Sequence, residues 1–231
     1  MRKLFIATLT SLLLLPGVAS AQTPTNDAAN VDQIRQSYRI HVGPLYINPT
    51  LLLKEVGVDS NVFNQAGEQK SDFTTTFTPQ ADIALTFARR GLLKATVGSD
   101  LVYYQKYATE RSIDPQVKVR GEAYAHRLTL FAEGAYLNTR QRPNYEIDIR
   151  SRHVEQDAQA GAALRLTPKL SIELAARRAE ARYDADAVIA GTNLRETLNR
   201  STQGLTGAVR HRLTPLTTLS VQFDRLADTF T

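Results

Sequence analysis

The chain has 231 residues with 28 basic and 23 acidic side chains, and it contains neither Cys nor Trp. A chain without cysteine is not the small disulfide-stapled type of exported domain. So slight a basic excess gives no footprint for nucleic acid, and no nucleic-acid partner is expected.

Met1-Arg2-Lys3 is a basic opening, Leu12 to Leu15 form the centre of a short apolar run, and Val18-Ala19-Ser20-Ala21 supplies small residues after Pro16. That layout predicts a secretory signal peptide over residues 1–21, cut near Ala21. The apolar run is too short to span a bilayer comfortably as a helix. Residues 22–44 open on Gln22-Thr23-Pro24-Thr25-Asn26-Asp27 and read as a flexible periplasmic lead-in.

From residue 45 the pattern has period two, the signature of strands with one apolar face. Leu45, Ile47, Leu51 and Leu53 alternate with Tyr46, Asn48, Thr50 and Lys54. Phe73 to Phe87 alternates with Asp72 to Thr86, and Leu93 to Tyr103 with Lys94 to Tyr104. The same alternation recurs through residues 115–126, 128–140, 154–166, 170–183, 200–212 and 217–230, with a phase slip near Arg177-Arg178 that calls for a bulge. Tight connections at Arg89-Arg90-Gly91, Arg127-Leu128, Thr167-Pro168-Lys169 and Thr214-Pro215-Leu216 alternate with longer polar stretches at residues 108–114, 141–152 and 184–199. Short turns at one end and long loops at the other predict an all-β fold: a transmembrane antiparallel up-and-down β-barrel over residues 45–231. Nine strands are counted where such barrels have an even number, so the expectation is an incomplete barrel, the N-terminal part of a longer one. A soluble β-sandwich would alternate in the same way, and the frequent Ala, Gly and Thr on the apolar side suit it.

Val42-Gly43-Pro44-Leu45-Tyr46-Ile47-Asn48-Pro49-Thr50-Leu51, followed by Gly57-Val58-Asp59-Ser60-Asn61-Val62-Phe63, resembles the opening of outer-membrane proteins of the beta-barrel porin 2 family. Some members of that family are associated with exopolysaccharide or capsule export. The resemblance implies a porin-like barrel or an accessory to polysaccharide export in the outer membrane of a Gram-negative bacterium. Its partners would be outer-membrane lipid and polysaccharide or small solutes.

If the apolar side faces lipid, Lys94, Asp100, Lys118, Arg120, Glu122, Arg165 and Glu173 face a lumen, where they line an aqueous path or pair in a filled interior. Tyr103, Tyr104, Tyr107, Tyr136, Tyr145 and Tyr183 fall near the long-loop ends, as an interfacial aromatic girdle requires. Asp59, Asn61 and Asn64 lack the Gly and Glu of a calcium loop and read as turn residues. His41, His126, His153 and His211 have no metal-ligand spacing. No catalytic motif, metal or cofactor is expected, and Glu133 and Glu173 do not by themselves make a glycosidase pair. The alternative function is a soluble periplasmic or extracellular all-β binding protein.

Overall fold

The computed structural model describes residues 34, 36–63, 67–88, 90–140, 151–184, 188–189 and 192–230. The leader, the lead-in up to residue 33 and Tyr145 lie outside the described residues. One antiparallel sheet dominates, built as a meander from β1 (Ile40–Val42), β2 (Leu45–Asp59), β3 (Asp72–Phe87), β4 (Gly91–Tyr104), β5 (Ser112–Ala125), β6 (Leu128–Thr139), β7 (His153–Arg165) and β8 (Leu170–Tyr183). Between β8 and the last two strands lie a small hairpin, β9 (Val188–Ile189) with β10 (Thr192–Asn193), and one short helix, α1 (Leu194–Leu198). The sheet ends with β11 (Arg200–Thr214), which pairs with β8, and β12 (Thr217–Phe230).

The turns explain why neighbours in sequence become neighbours in space. Gly43, with φ +59°, turns β1 into β2, and Ala88 and His126 adopt positive φ at the next two tight connections. Pro168 and Pro215 sit in turns, where their missing N–H costs no ladder bond. The long connections gather at the opposite end. Asp72 organises one of them by accepting from the backbone N–H groups of Lys106 and Tyr107 at 2.8–3.0 Å. Burial alone would raise the Asp72 carboxyl, but the N–H donors of Tyr107, Lys106 and Phe73 outweigh it and hold its pKa below the ordinary carboxylate value.

The pairing corrects two sequence expectations. The ladders of β8 with β7 and with β11 run unbroken through Arg177 and Arg178, so no bulge forms there. The phase slip is instead a change of surface: Arg178, Glu180 and Arg182 continue the face that carries Ile172 and Leu174. The irregularity lies in β2, between Lys54 and Gly57, where Glu55 adopts φ +53°.

The larger correction concerns closure. The expected transmembrane barrel, foreseen as the incomplete N-terminal part of a longer one, is not what these residues form: among the described residues the sheet is open, with β1 at one edge and β12 at the other, and β12 is paired only with β11. A barrel needs its last strand bonded to its first. An open edge in hydrocarbon would strand backbone N–H and C=O groups without partners. Transmembrane β-strands, an outer-membrane lipid partner, outer-membrane residence, and a porin-like or polysaccharide-export role in that membrane are therefore not supported by this sheet.

Period two divides the sheet cleanly. One face carries Leu51, Leu53, Phe77, Val97, Val119, Leu174, Val209 and Val221, all exposed. Every buried side chain of the long strands lies on the other face, which is the concave one, since a single cavity there is lined from β4 to β12. At the tight-turn end of that concave face, Ile34, Tyr46, Ala84 and Leu92 form the apolar core cluster, with Tyr38 and Tyr124 packed against it. Leu92 is 2 % exposed. Leu92→Ala is expected to lower stability by about 2–4 kcal/mol in urea unfolding, because the small end cluster cannot collapse around the space left.

Candidate functional site

The concave face holds rows of side chains that run across the strands. One row passes from Thr96 through Lys118, Ala135, Asp157, Ala179 and Thr202 to Asp228. The next, toward the long loops, contains Gln116, Leu137, Glu155, Ala181 and Arg200. Small residues at Ala135, Ala179 and Ala181 leave space between longer charged neighbours. Together these rows line a cavity of about 580 Å³ that reaches from β4 to β12.

Its walls carry both signs of charge on the concave face, Lys118, Arg177 and Arg200 against Glu155, Asp157 and Asp228, while Glu180, which also borders it, turns its carboxylate to Arg178 and Arg182 on the other face. Several of these are held by partners. Arg177 Nε donates to Asp157 at 2.5 Å, and Lys118 Nζ lies 3.1 Å from Glu133. Arg177 and Lys118 are both more than half exposed, so these contacts orient the heads without removing them from water.

Beside the cavity toward the tight turns, Arg120 donates to Glu122 at 2.6 Å and to Glu133 at 3.4 Å, and the Tyr124 hydroxyl donates to Glu122 at 2.7 Å. The Arg120 guanidinium stacks over Phe131, 4.6 Å from the ring centre. Toward the long loops, His153 stacks on Tyr183 at 4.7 Å and pairs with Glu155 at 3.3 Å. Burial would lower the His153 pKa, but the Glu155 hydrogen bond, the Ser151 carbonyl and the Glu155 and Asp114 charges overcome that and raise it. A raised folded-state pKa stabilises below the unfolded histidine value, and that stabilisation is lost as pH rises through the folded value. The His153 ring is expected to titrate above the ordinary histidine pKa by NMR. Glu155→Gln should bring its midpoint down, and an unmoved midpoint would show that Glu155 is not the cause.

The seven charged positions selected from sequence, Lys94, Asp100, Lys118, Arg120, Glu122, Arg165 and Glu173, all occupy the concave face. Only Lys118 lines the large cavity. Asp100 instead accepts from Lys54 and from Thr78, Glu173 binds Arg210 at 2.6 Å, and Arg165 donates to the His126 carbonyl. Glu155, Asp157, Arg177, Arg200 and Asp228 were not selected. Asp157 was readable, since it alternates with Ala158, Ala160 and Ala162, whereas the presumed bulge hid Arg177. The tyrosines do not make one belt. Tyr103 and Tyr136 are exposed on the apolar face, Tyr104 and Tyr183 are buried on the concave face, and Tyr107 meets Phe63 edge-on at 4.9 Å in the loops. Asn61 N–H donates to the Asp59 carboxylate, so this pair shapes a turn. Among the described residues no group of three or more His, Asp or Glu side chains is placed to hold a metal ion.

These features define an all-antiparallel meander with a polar concave face. No protein-family model matches the chain, and no curated protein matches it. The resemblance to the beta-barrel porin 2 family is not upheld, because no family model matches and the sheet that those residues begin is open. Among solved structures the chain is similar to the outer membrane channel DcaP of Acinetobacter baumannii, with a TM-score of 0.50 and 16 % identity, over 79 % of this chain. The match spans 55 % of that channel's chain. At this identity the likeness is one of fold alone.

Proposed function

We propose that this is an exported, non-catalytic all-β binding protein that works in the aqueous periplasmic or extracellular space and holds a small polar solute on the concave face of its sheet. The observation that carries this reading is the cavity of about 580 Å³ onto which the concave face directs three basic and three acidic side chains. Its volume falls in the range of about 300–1,000 Å³ common to small-molecule sites. Balanced charge favours a solute that itself carries both signs, because an excess of either sign on the ligand would meet like charge on the wall. The leader over residues 1–21 supports export.

The test is titration calorimetry of the purified mature chain with a zwitterionic probe, the dipeptide lysyl-glutamate, beside the dicarboxylate succinate and the diamine putrescine. The dipeptide is expected to bind best. Arg177→Ala should weaken it about tenfold, as loss of one charged hydrogen bond implies. Equal indifference to all three probes would reject the site.

A further inference from the structure

We propose that the concave face carries a second site, for a phosphoryl-type oxyanion, in the cleft at its tight-turn end where Arg165, Lys169, Arg210 and Arg212 surround Ser171. The ladders bring these residues together. Arg165 of β7 and Arg210 of β11 stand directly opposite Ser171 of β8, one on each side of it. The next row toward the turns sets Arg212 beside Lys169, with the Arg212 N–H donating to the Lys169 carbonyl at 2.7 Å. All five line one small cleft with Thr218, and no carboxylate lines it.

Toward the middle of the same face basic side chains meet acids: Arg177 meets Asp157, Lys118 meets Glu133, and Arg120 meets Glu122 and Glu133. The cleft is built differently. Glu173, two residues along β8, binds Arg210 at 2.6 Å and fixes its guanidinium, while Arg165 is anchored by the His126 carbonyl at 3.0 Å. Among the described residues no ion pair engages Lys169 or Arg212. Like charges on neighbouring strands destabilise a ladder. An anion seated between them turns that repulsion into attraction.

Ser171 indicates what such an anion would meet. The residue is 7 % exposed, and among the described residues its hydroxyl makes no hydrogen bond, although buried hydroxyls ordinarily have one. The cleft that it lines has an open volume of about 20 Å³, enough for one oxygen atom and too small for a whole solute. One oxygen of a phosphate would enter and accept from Ser171. Its other oxygens would stay at the rim, within reach of the Lys169 ammonium and the Arg212 guanidinium. A phosphoryl group offers three acceptor oxygens and close to two charges, which suits several cations around one hydroxyl better than a carboxylate does.

The cleft shares no lining residue with the large cavity, so the two sites can be tested apart. Titration calorimetry of the purified mature chain with inorganic phosphate, at an ionic strength held constant with sodium chloride, is expected to show one saturable site. Lys169→Gln combined with Arg212→Gln should weaken it by about tenfold and Ser171→Ala by about fivefold, each with the circular dichroism of the parent. Lys70→Gln removes a cation from the long-loop end and should leave the affinity unchanged. Acetate titrated in the same way should bind far more weakly. Absence of saturable phosphate binding, full affinity in Ser171→Ala or in the paired glutamines, equal weakening by Lys70→Gln, or acetate bound as tightly as phosphate would overturn the proposal.

Discussion

Gly161→Val is expected to destabilise the sheet by about 3 kcal/mol, the upper part of the range for overpacking. Gly161 lies in the middle of β7 on the concave face, where the Phe131 ring of β6 crosses it. A Cβ at this position would stand 2.5 Å from the Leu174 carbonyl oxygen, 2.6 Å from Phe131 Cζ and 2.9 Å from Ala175 Cβ. Two of these neighbours are backbone or directly attached to it, so they cannot swing aside. Displacing Phe131 instead would pull its ring from beneath Arg120, and the guanidinium would lose its aromatic partner. Urea unfolding followed by circular dichroism measures the loss. A change below the error of the measurement would mean that Phe131 does not pack over β7.

Glu122→Ala is expected to cost about 2 kcal/mol, since it removes the acceptor shared by Arg120 and the Tyr124 hydroxyl. Burial alone would raise the Glu122 carboxyl, but the bonds from Arg120 and Tyr124 outweigh it, and its pKa is lowered. A lowered folded-state pKa makes the stabilisation present above the unfolded carboxylate value and lost as pH falls through the folded value. The parent and the variant should therefore differ at neutral pH and converge in acid. A gap that is constant with pH would point to lost packing rather than to the charged network. Tyr124 adds a second consequence, because its ring packs on the cluster around Leu92. Releasing its hydroxyl loosens the same end of the sheet that Leu92→Ala weakens.

The strands were legible because alternation is a local property. Asp72 to Phe87 could be assigned from its own residues, and the strand formed there has the same bounds. Two of the tight turns were legible for the same reason: Pro168 and Pro215 restrict backbone angles without help from the rest of the chain. Three-residue β1 was too short to show a period, and its identity depends on pairing with Leu45 to Ile47.

Closure was not legible. Whether the last strand bonds to the first depends on the accumulated bend and stagger of all the ladders between them, and no residue of β12 encodes that sum. The seam between Arg177 and Arg178 failed for a different reason. Charged residues on both faces of one strand imitate a change of phase, and only the partners show that the register continues: Gln159 and Gly204 beside Arg177, Ala158 and Gln203 beside Arg178. The cavity was half legible. Its charges follow from alternation, but the room between them comes from Ala135 and Ala179, which on their own read as weak strand residues. Their meaning appears only when the ladders set Lys118, Asp157 and Thr202 around them.

The open sheet is the feature from which the binding face and the departure from a barrel both follow. Spin labels at Thr50→Cys in β2 and Gln222→Cys in β12, diluted with unlabelled chain to suppress contacts between copies, measure it directly. Gln203→Cys with Ala227→Cys, a cross-strand pair of β11 and β12, gives the reference for adjacent strands. The open sheet predicts a distance between β2 and β12 far longer than that reference. A distance matching the reference, as neighbouring strands about 5 Å apart would give, would mean that the sheet closes on itself.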